Sequence, residues 1–459
     1  MKTLRIGITG LRRSGKTVFL TSLINQLLDG GEEAFKAFLD QGVTIGARED
    51  RSTSQPSWLS YEKYLNFFSS SKKQIPRFPY EEHLDAFRQA TPHWPTHTTR
   101  LSKFRLYVTL QRGTSTQDLL LELVDYPGEQ LLDAPLLGQT FEQWSEEAIK
   151  EARLGLRRGL SIPWLQACDE LTSNAANNKE TVSAVVDEYR KYLCACRGQG
   201  LTFLQPSAFL LQGEDTKDLD LLFCPLPQRV FQQAEDIARQ FAKRYQQYQE
   251  QLVKPFCQEV TECDRQVVLV DVLQILKQGV YCFNDTRRAL LKILDVYGYT
   301  PEASKWSLWA LLGLGQTASR VVFVATKADQ ANYATRVNLE RLLQDVINTA
   351  YQNLRTKIPH GLSFRFCAAN RCTTDARKTL DGQELSCLTG QREDRPHEGE
   401  GTWYPGEVPP DWPNDWDPVQ HAFKFPNFLP KQLPKRDGAT IAHINLDKVF
   451  LHLVEDFLP

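Results

Sequence analysis

An α/β fold with a mostly parallel sheet, flanking helices and a large helical insertion is what this 459-residue sequence predicts, and three segments carry the prediction. Residues 10 to 17 read Gly10-Leu11-Arg12-Arg13-Ser14-Gly15-Lys16-Thr17, directly behind the apolar run Leu4-Arg5-Ile6-Gly7-Ile8-Thr9. Leu119 to Gly128 is a strand-like stretch that ends in Asp125-Tyr126-Pro127-Gly128. Ser319 to Asp329 is a β-branched stretch that ends in Thr326-Lys327-Ala328-Asp329.

The first segment is a complete G-x-x-x-x-G-K-[ST] phosphate-binding loop (P-loop) set between a strand and a helix, as in a P-loop NTPase. Backbone N–H groups can wrap a polyphosphate only if glycine stands where a Cβ would strike the ligand or the turn, and Gly10 and Gly15 meet that need. Lys16 would reach the β- and γ-phosphates and Thr17 would place its hydroxyl on Mg2+. The helix that begins at Lys16 aims its positive dipole end at the phosphates. Arg12, Arg13, Ser14 and Val18 belong to the same nucleotide-binding set. An ordinary glycine-rich turn is the bland alternative, and the flanking strand and helix argue against it.

In the second segment, an aspartate at the carboxyl end of a buried strand beside a phosphate loop would hold Mg2+ through water, and Gly128 can offer its N–H to a γ-phosphate. A D-x-x-G alone is a common turn; here it follows six strand-like residues and an upstream phosphate loop. In the third, the Asp329 carboxylate would accept from N1–H and the exocyclic amine of guanine. Adenine presents an acceptor at N1 and would leave that carboxylate unpaired, so the segment predicts GTP or GDP over ATP. The stem of Lys327 would lie along the base, with Thr326 in the same turn. The alternative is a solvated cluster of charge at a strand end. A last strand, Leu362 to Asn370, ends in Cys367-Ala368-Ala369, small residues that let a backbone N–H approach guanine O6.

Composition is that of a soluble enzyme, 41% hydrophobic and 24% charged, on a chain long enough for two or three structural units. A formal net charge of -2 and a pI near 6.5 argue against a nucleic-acid binder driven by bulk charge. The sequence shows neither a bilayer-length apolar run nor a charged-then-apolar leader, so a cytoplasmic location is expected. The ten cysteines form no C-x-x-C pair. Cys168, Cys194, Cys257 and Cys367 fall within apolar patterns as reduced thiols, and Cys194 with Cys196 lacks the second pair a metal site needs.

The order of these segments resembles the Ras-like GTPase domain. Leu101 to Leu110 matches its antiparallel strand, Gln266 to Asp271 an extra parallel one, and Ile444 to Phe457 its closing helix. The resemblance implies a GTPase core over 1–29, 98–139, 263–370 and 441–459, interrupted by insertions. The first insertion, 30–97, lies where GTPases keep the loop that closes on the γ-phosphate. It carries Tyr61 to Phe68 and Phe78 to Phe87, and just beyond it Thr98 or Thr99 is the candidate second Mg2+ ligand, unless both are solvated loop residues. The second, 140–262, has helical spacing over Thr140 to Gly159, Thr181 to Cys196 and Gln228 to Cys257. It reads as a structural subdomain or as a contact for a protein partner or a membrane surface. Trp306 and Trp309 mark a short interdomain packing element, and 371–440, with Pro409 to Pro418, reads as an extended ordered loop docked by its tryptophans rather than a domain.

Taken whole, the chain is similar to the YcjX-like family of bacterial P-loop proteins, on Gly7 to Leu20, Val124 to Gly128, Val268 to Leu273 and Ala325 to Asp329. That resemblance implies a switch tied to envelope stress. Guanylate-binding proteins place an arginine at the spot of Arg13, where it acts in cis on the developing charge; here it implies self-stimulated hydrolysis and a homodimer, against a solvated-loop reading of Arg12 and Arg13. Small GTPases commonly carry Gln after the D-x-x-G glycine. This chain has Glu129, which either orients the attacking water or is solvated, with Gln130 as its fallback. Three functions stand: a GTP hydrolase, a guanine-nucleotide-dependent scaffold that scarcely hydrolyses, and an ATP-using enzyme.

Overall fold

The computed structural model describes residues 1–51, 75–96, 101–171, 179–211, 221–297, 318–348, 361–380, 382–416 and 423–459. Thr98, Thr99, Tyr61 to Phe68, Trp306 and Trp309 lie outside the described residues.

A seven-stranded sheet runs in the order β2-β3-β4-β1-β5-β6-β7. Its strands are β1 (Lys2–Gly10), β2 (Thr44–Glu49), β3 (Ser102–Arg112), β4 (Ser115–Asp125), β5 (Arg265–Val270), β6 (Arg320–Ala325) and β7 (Leu362–Phe366). Strands β4, β1, β5, β6 and β7 are parallel, β3 runs antiparallel to β4, and the edge strand β2 pairs antiparallel with β3. Every residue of β5 is buried, as expected of a parallel strand covered on both faces. Period-2 alternation then sorts its side chains: Val268 and Val270 join one apolar core, Val267 and Leu269 the other. The edge strand β2 lies inside the stretch expected to be an insertion, so residues 44–49 extend the core sheet.

The two cores have different makers. Helix α1 (Lys16–Asp29) and the Leu446–Val454 helix pack on the Leu4–Ile6–Ile8 face. The opposite face is shared with the helices of the expected helical insertion. Thr140 starts these with a capping box, its hydroxyl accepting from Gln143 N–H while Gln143 accepts from the Thr140 N–H. Helices Phe141–Ala152, Lys179–Gly198, Glu235–Tyr248 and Lys254–Thr261 follow. Their cement is aromatic: Trp144 stacks on Tyr245 at 5.0 Å and Trp164 on Tyr192 at 5.3 Å.

The expectation of an extended loop throughout 371–440 is corrected. Strands β8 (Thr374–Leu380), β9 (Gln383–Gln391) and β10 (Glu400–Trp403) form a small antiparallel sheet. Proline is absent from all three, and Gly382 takes the positive φ of 80° that a tight hairpin requires. Residues 404–416 of the proline-rich run have no regular structure and dock Trp412 against Phe283 at 4.7 Å. All ten cysteines are free thiols, with Cys194 exposed. Among the described residues, no helix is long and apolar enough to cross a membrane.

Candidate nucleotide site

Strand β1 sits between β4 and β5, and the chain leaves it first toward one side of the sheet and later toward the other. Such a switch point opens a crevice at the carboxyl ends of the strands. The phosphate loop leaves β1 there. Gly15 caps α1 in the left-handed region at φ 85°, and Arg13 adopts φ 61°, which leaves its side chain exposed at the rim. Gly10 is required by close approach, because a Cβ would strike Ser14 Oγ and the Leu269 side chain. Gly128 is required for the same reason from the other side, since its Cβ would meet the Gly10 carbonyl and Thr9 Oγ1. The D-x-P-G turn therefore lies directly on the phosphate loop.

Lys16 Nζ pairs with Asp125 Oδ1, and these side chains are only 11% and 1% exposed. Asp125 Oδ2, Ser14 Oγ and Thr9 Oγ1 are buried without a hydrogen-bond partner among the described residues. A buried carboxylate oxygen left bare beside a phosphate loop fits a hydrated Mg2+, and so does the nearby Thr17, buried in the first turn of α1. Among the described residues no group of three or more His, Cys, Asp or Glu gathers as a protein-only metal cage. Mg2+ shared with phosphates and water needs no such cage.

Glu129 and Gln130 stand half-buried in the Gly128–Leu131 turn. Partial burial, then the like charges of Arg197 and Arg13, lower the Arg12 pKa, and Glu129 opposes them. The phosphate loop, the D-x-P-G turn and a helix of the insertion thus meet electrostatically.

Along the same edge, Thr326 N–H donates to the Val270 carbonyl at 2.9 Å. Lys327 then turns left-handed at φ 57° and sends Nζ to Asp271 Oδ2 at 2.6 Å. Asp329 is 3% exposed. Its Oδ2 accepts from Cys372 N–H at 2.9 Å, and its carbonyl accepts from Thr373 Oγ1 at 2.6 Å. Burial raises the Asp329 pKa and the Cys372 N–H offsets part of that rise. Ala368 differs from expectation: its N–H donates to the Ile444 carbonyl at 3.0 Å in an antiparallel bridge, so that group is already engaged. Ala369, at the next position, is half-buried and packs against the core that α1 covers.

A family model described as "YcjX-like family, DUF463" matches residues 4–458, essentially the span over which these strand ends assemble the site. The chain belongs to the YcjX-like family. A protein of Escherichia coli (strain K12) named "Ras-like GTPase YcjX" is 31% identical over 479 residues, covering 99% of this chain and 96% of that protein. A protein of the same name from Shewanella oneidensis (strain MR-1) is 28% identical over 489 residues, covering 99% and 94%.

Two residues of this YcjX-like site escape motif reading. Asp271, at the end of β5, holds Lys327 and also caps the Val272–Gln278 helix by accepting from Gln274 N–H at 2.9 Å. His83 is buried on the Tyr80–Arg88 helix, and burial pushes its ring below the usual histidine range, with Lys16 adding to the drop and Glu82 and Asp125 opposing it. Asp271 followed a strand-like run and was detectable as a strand-end carboxylate. No sequence pattern singles out His83.

Proposed function

We propose that this chain binds GTP with Mg2+ and hydrolyses it to GDP and phosphate, as a nucleotide-dependent switch of the bacterial envelope stress response. The observation that carries the chemical part is one of placement. Gly10 to Thr17, Asp125, Lys327 and Asp329 lie along one edge of the sheet, at the carboxyl ends of neighbouring parallel strands. The curated relatives' name supports the same reading. The stress role and a cytoplasmic location rest on family resemblance and composition.

In this reading the phosphates draw Lys16 Nζ away from Asp125, replacing one ion pair by contacts to the β- and γ-oxygens. Thr17, Asp125 and Thr98 or Thr99 would hold Mg2+, which neutralises charge on the phosphates when bound. Gly128 offers its N–H to the γ-phosphate, and Arg13 stabilises the charge that develops on it. Glu129, or Gln130 beside it, orients the water. Asp329 reads N1–H and the amine of guanine, with Lys327 and Ala369 bordering the base.

Titration calorimetry with GDP and ADP, followed by phosphate release at saturating GTP, tests the proposal. GDP bound at least about tenfold more tightly than ADP, with release above the uncatalysed rate, supports it. Equal affinity for ADP overturns the guanine assignment and restores the ATP-using alternative. GTP binding without turnover leaves a guanine-nucleotide-dependent scaffold.

A further inference from the structure

The Gly128–Leu131 turn, which carries Glu129 and Gln130, is tied down at both ends by unrelated parts of the chain. Upstream, Tyr126 is fully buried, with its hydroxyl 2.5 Å from Gln266 Oε1 on β5 and 2.7 Å from the Tyr297 hydroxyl. Downstream, Asp133 is 2% exposed, and among the described residues its donors come from the helical insertion. Its Oδ2 accepts from Ser207 N–H at 2.9 Å, Ser207 Oγ at 2.5 Å and Tyr248 OH at 2.6 Å. Neighbouring backbone is held the same way: Gln205 Nε2 donates to the Leu132 carbonyl at 2.5 Å, and Gln249 Nε2 to the Gln139 carbonyl at 3.0 Å. Leu131, Leu132 and Leu136 share one apolar core with Tyr245 and Tyr248.

This pattern is more than a loop resting on a neighbour. A buried carboxylate with no cation partner among these contacts is stable only while its donors stay in place, so losing any one of them leaves a costly unsatisfied group. The bonds are short-range and directional, and the apolar contacts beneath them are close-packed. A displacement of the turn must therefore carry Ser207 and the Glu235–Tyr248 helix with it, or break the set.

We infer that Asp133 is a positioning residue that locks the D-x-P-G turn to the helical insertion, so that a pull on Gly128 by the γ-phosphate moves the insertion and, reciprocally, the insertion sets where Glu129 and Gln130 stand. The inference rests on the GTP-hydrolase reading. It names the insertion, rather than a free loop, as the element that reports the bound nucleotide.

The test uses the full chain, hydrogen exchange of the Glu235–Tyr248 helix in the GDP state and with a non-hydrolysable GTP analogue, and single-turnover phosphate release. Tyr248→Phe removes one hydroxyl, and Asp133→Asn nearly preserves shape. In the wild type the exchange of that helix differs between the two states. In both variants the difference is lost and single-turnover hydrolysis falls roughly tenfold, while nucleotide affinity stays within about twofold. A merely structural role would lower stability but leave the nucleotide-dependent exchange difference intact. Persistence of that difference in both variants, or its absence from a wild type that binds and hydrolyses GTP, overturns the inference alone. A wild type with no guanine-nucleotide binding overturns the hydrolase reading and this inference together.

Discussion

Lys327 Nζ lies 2.6 Å from Asp271 Oδ2, and that bond spans the ends of two adjacent parallel strands, β5 and β6. Lys327 holds a left-handed backbone at φ 57°, an unfavourable conformation for a lysine unless its surroundings impose it. Asp271 supplies part of that imposition from a side chain only 9% exposed. Asp271→Asn should therefore free Lys327, weaken GDP binding about tenfold and leave GTP-to-GDP discrimination unchanged. Calorimetry checks this, and unaltered GDP affinity refutes it.

The Lys16–Asp125 pair makes a separate prediction about the ligand-free protein. Removing one partner of a buried pair strands the other charge, which costs roughly 3 kcal/mol. Lys16→Ala should lose triphosphate binding and, without any ligand, lower denaturation stability by about that amount. Asp125 is nearly inaccessible, so water cannot replace the ammonium well. A variant as stable as the wild type would show that the pair contributes nothing to the free fold.

Arg13 stands exposed in the phosphate loop with a positive φ, and in the proposed reaction its guanidinium stabilises charge on the γ-phosphate. Arg13→Ala should bind GTP normally and hydrolyse it about 10²-fold more slowly. Phosphate release at saturating GTP is the measurement. Hydrolysis at the unaltered rate eliminates Arg13 as the charge-stabilising residue.

Burial raises the Asp133 carboxyl to about 7, with the Ser207 and Tyr248 hydrogen bonds opposing the rise. An aspartate in the unfolded chain titrates near 3.9, so between roughly pH 4 and pH 7 the folded chain holds a proton that the unfolded chain has released. The raised pKa contributes stability that is fully present below about pH 4 and is lost as pH rises through about 7. Denaturation midpoints of the wild type should fall over that window relative to Asp133→Asn, by up to about 1.4 kcal/mol per pH unit. Parallel curves for the two proteins would show that Asp133 does not titrate there.

Motif segments were legible because each obeys a local rule. Gly10 and Gly15 are demanded by a close approach and a positive φ within one turn, and the buried stretches Val267–Val270 of β5 and Val321–Ala325 of β6 read as apolar runs. Helical spacing alone marked Thr140 to Gly159, and the structure adds a capping box between Thr140 and Gln143 at its start. The hairpin at Gly382 is also written locally, in the positive φ of its glycine, while the prolines that exclude regular structure begin only at Pro405. No local pattern shows that the Ala368 N–H is engaged, because its acceptor, the Ile444 carbonyl, comes from the far end of the chain.

By itself, the order of residues determined the parallel α/β framework, the phosphate loop and the carboxylates at the strand ends, since spacing along one strand, turn or helix decides those features. Tertiary structure alone decided that Lys327 leans on Asp271, 56 positions away, and that Asp133 is held by Tyr248, 115 positions away. Such pairings depend on which helices cover which face of the sheet, and a buried polar atom takes whichever partner that packing brings within about 3 Å.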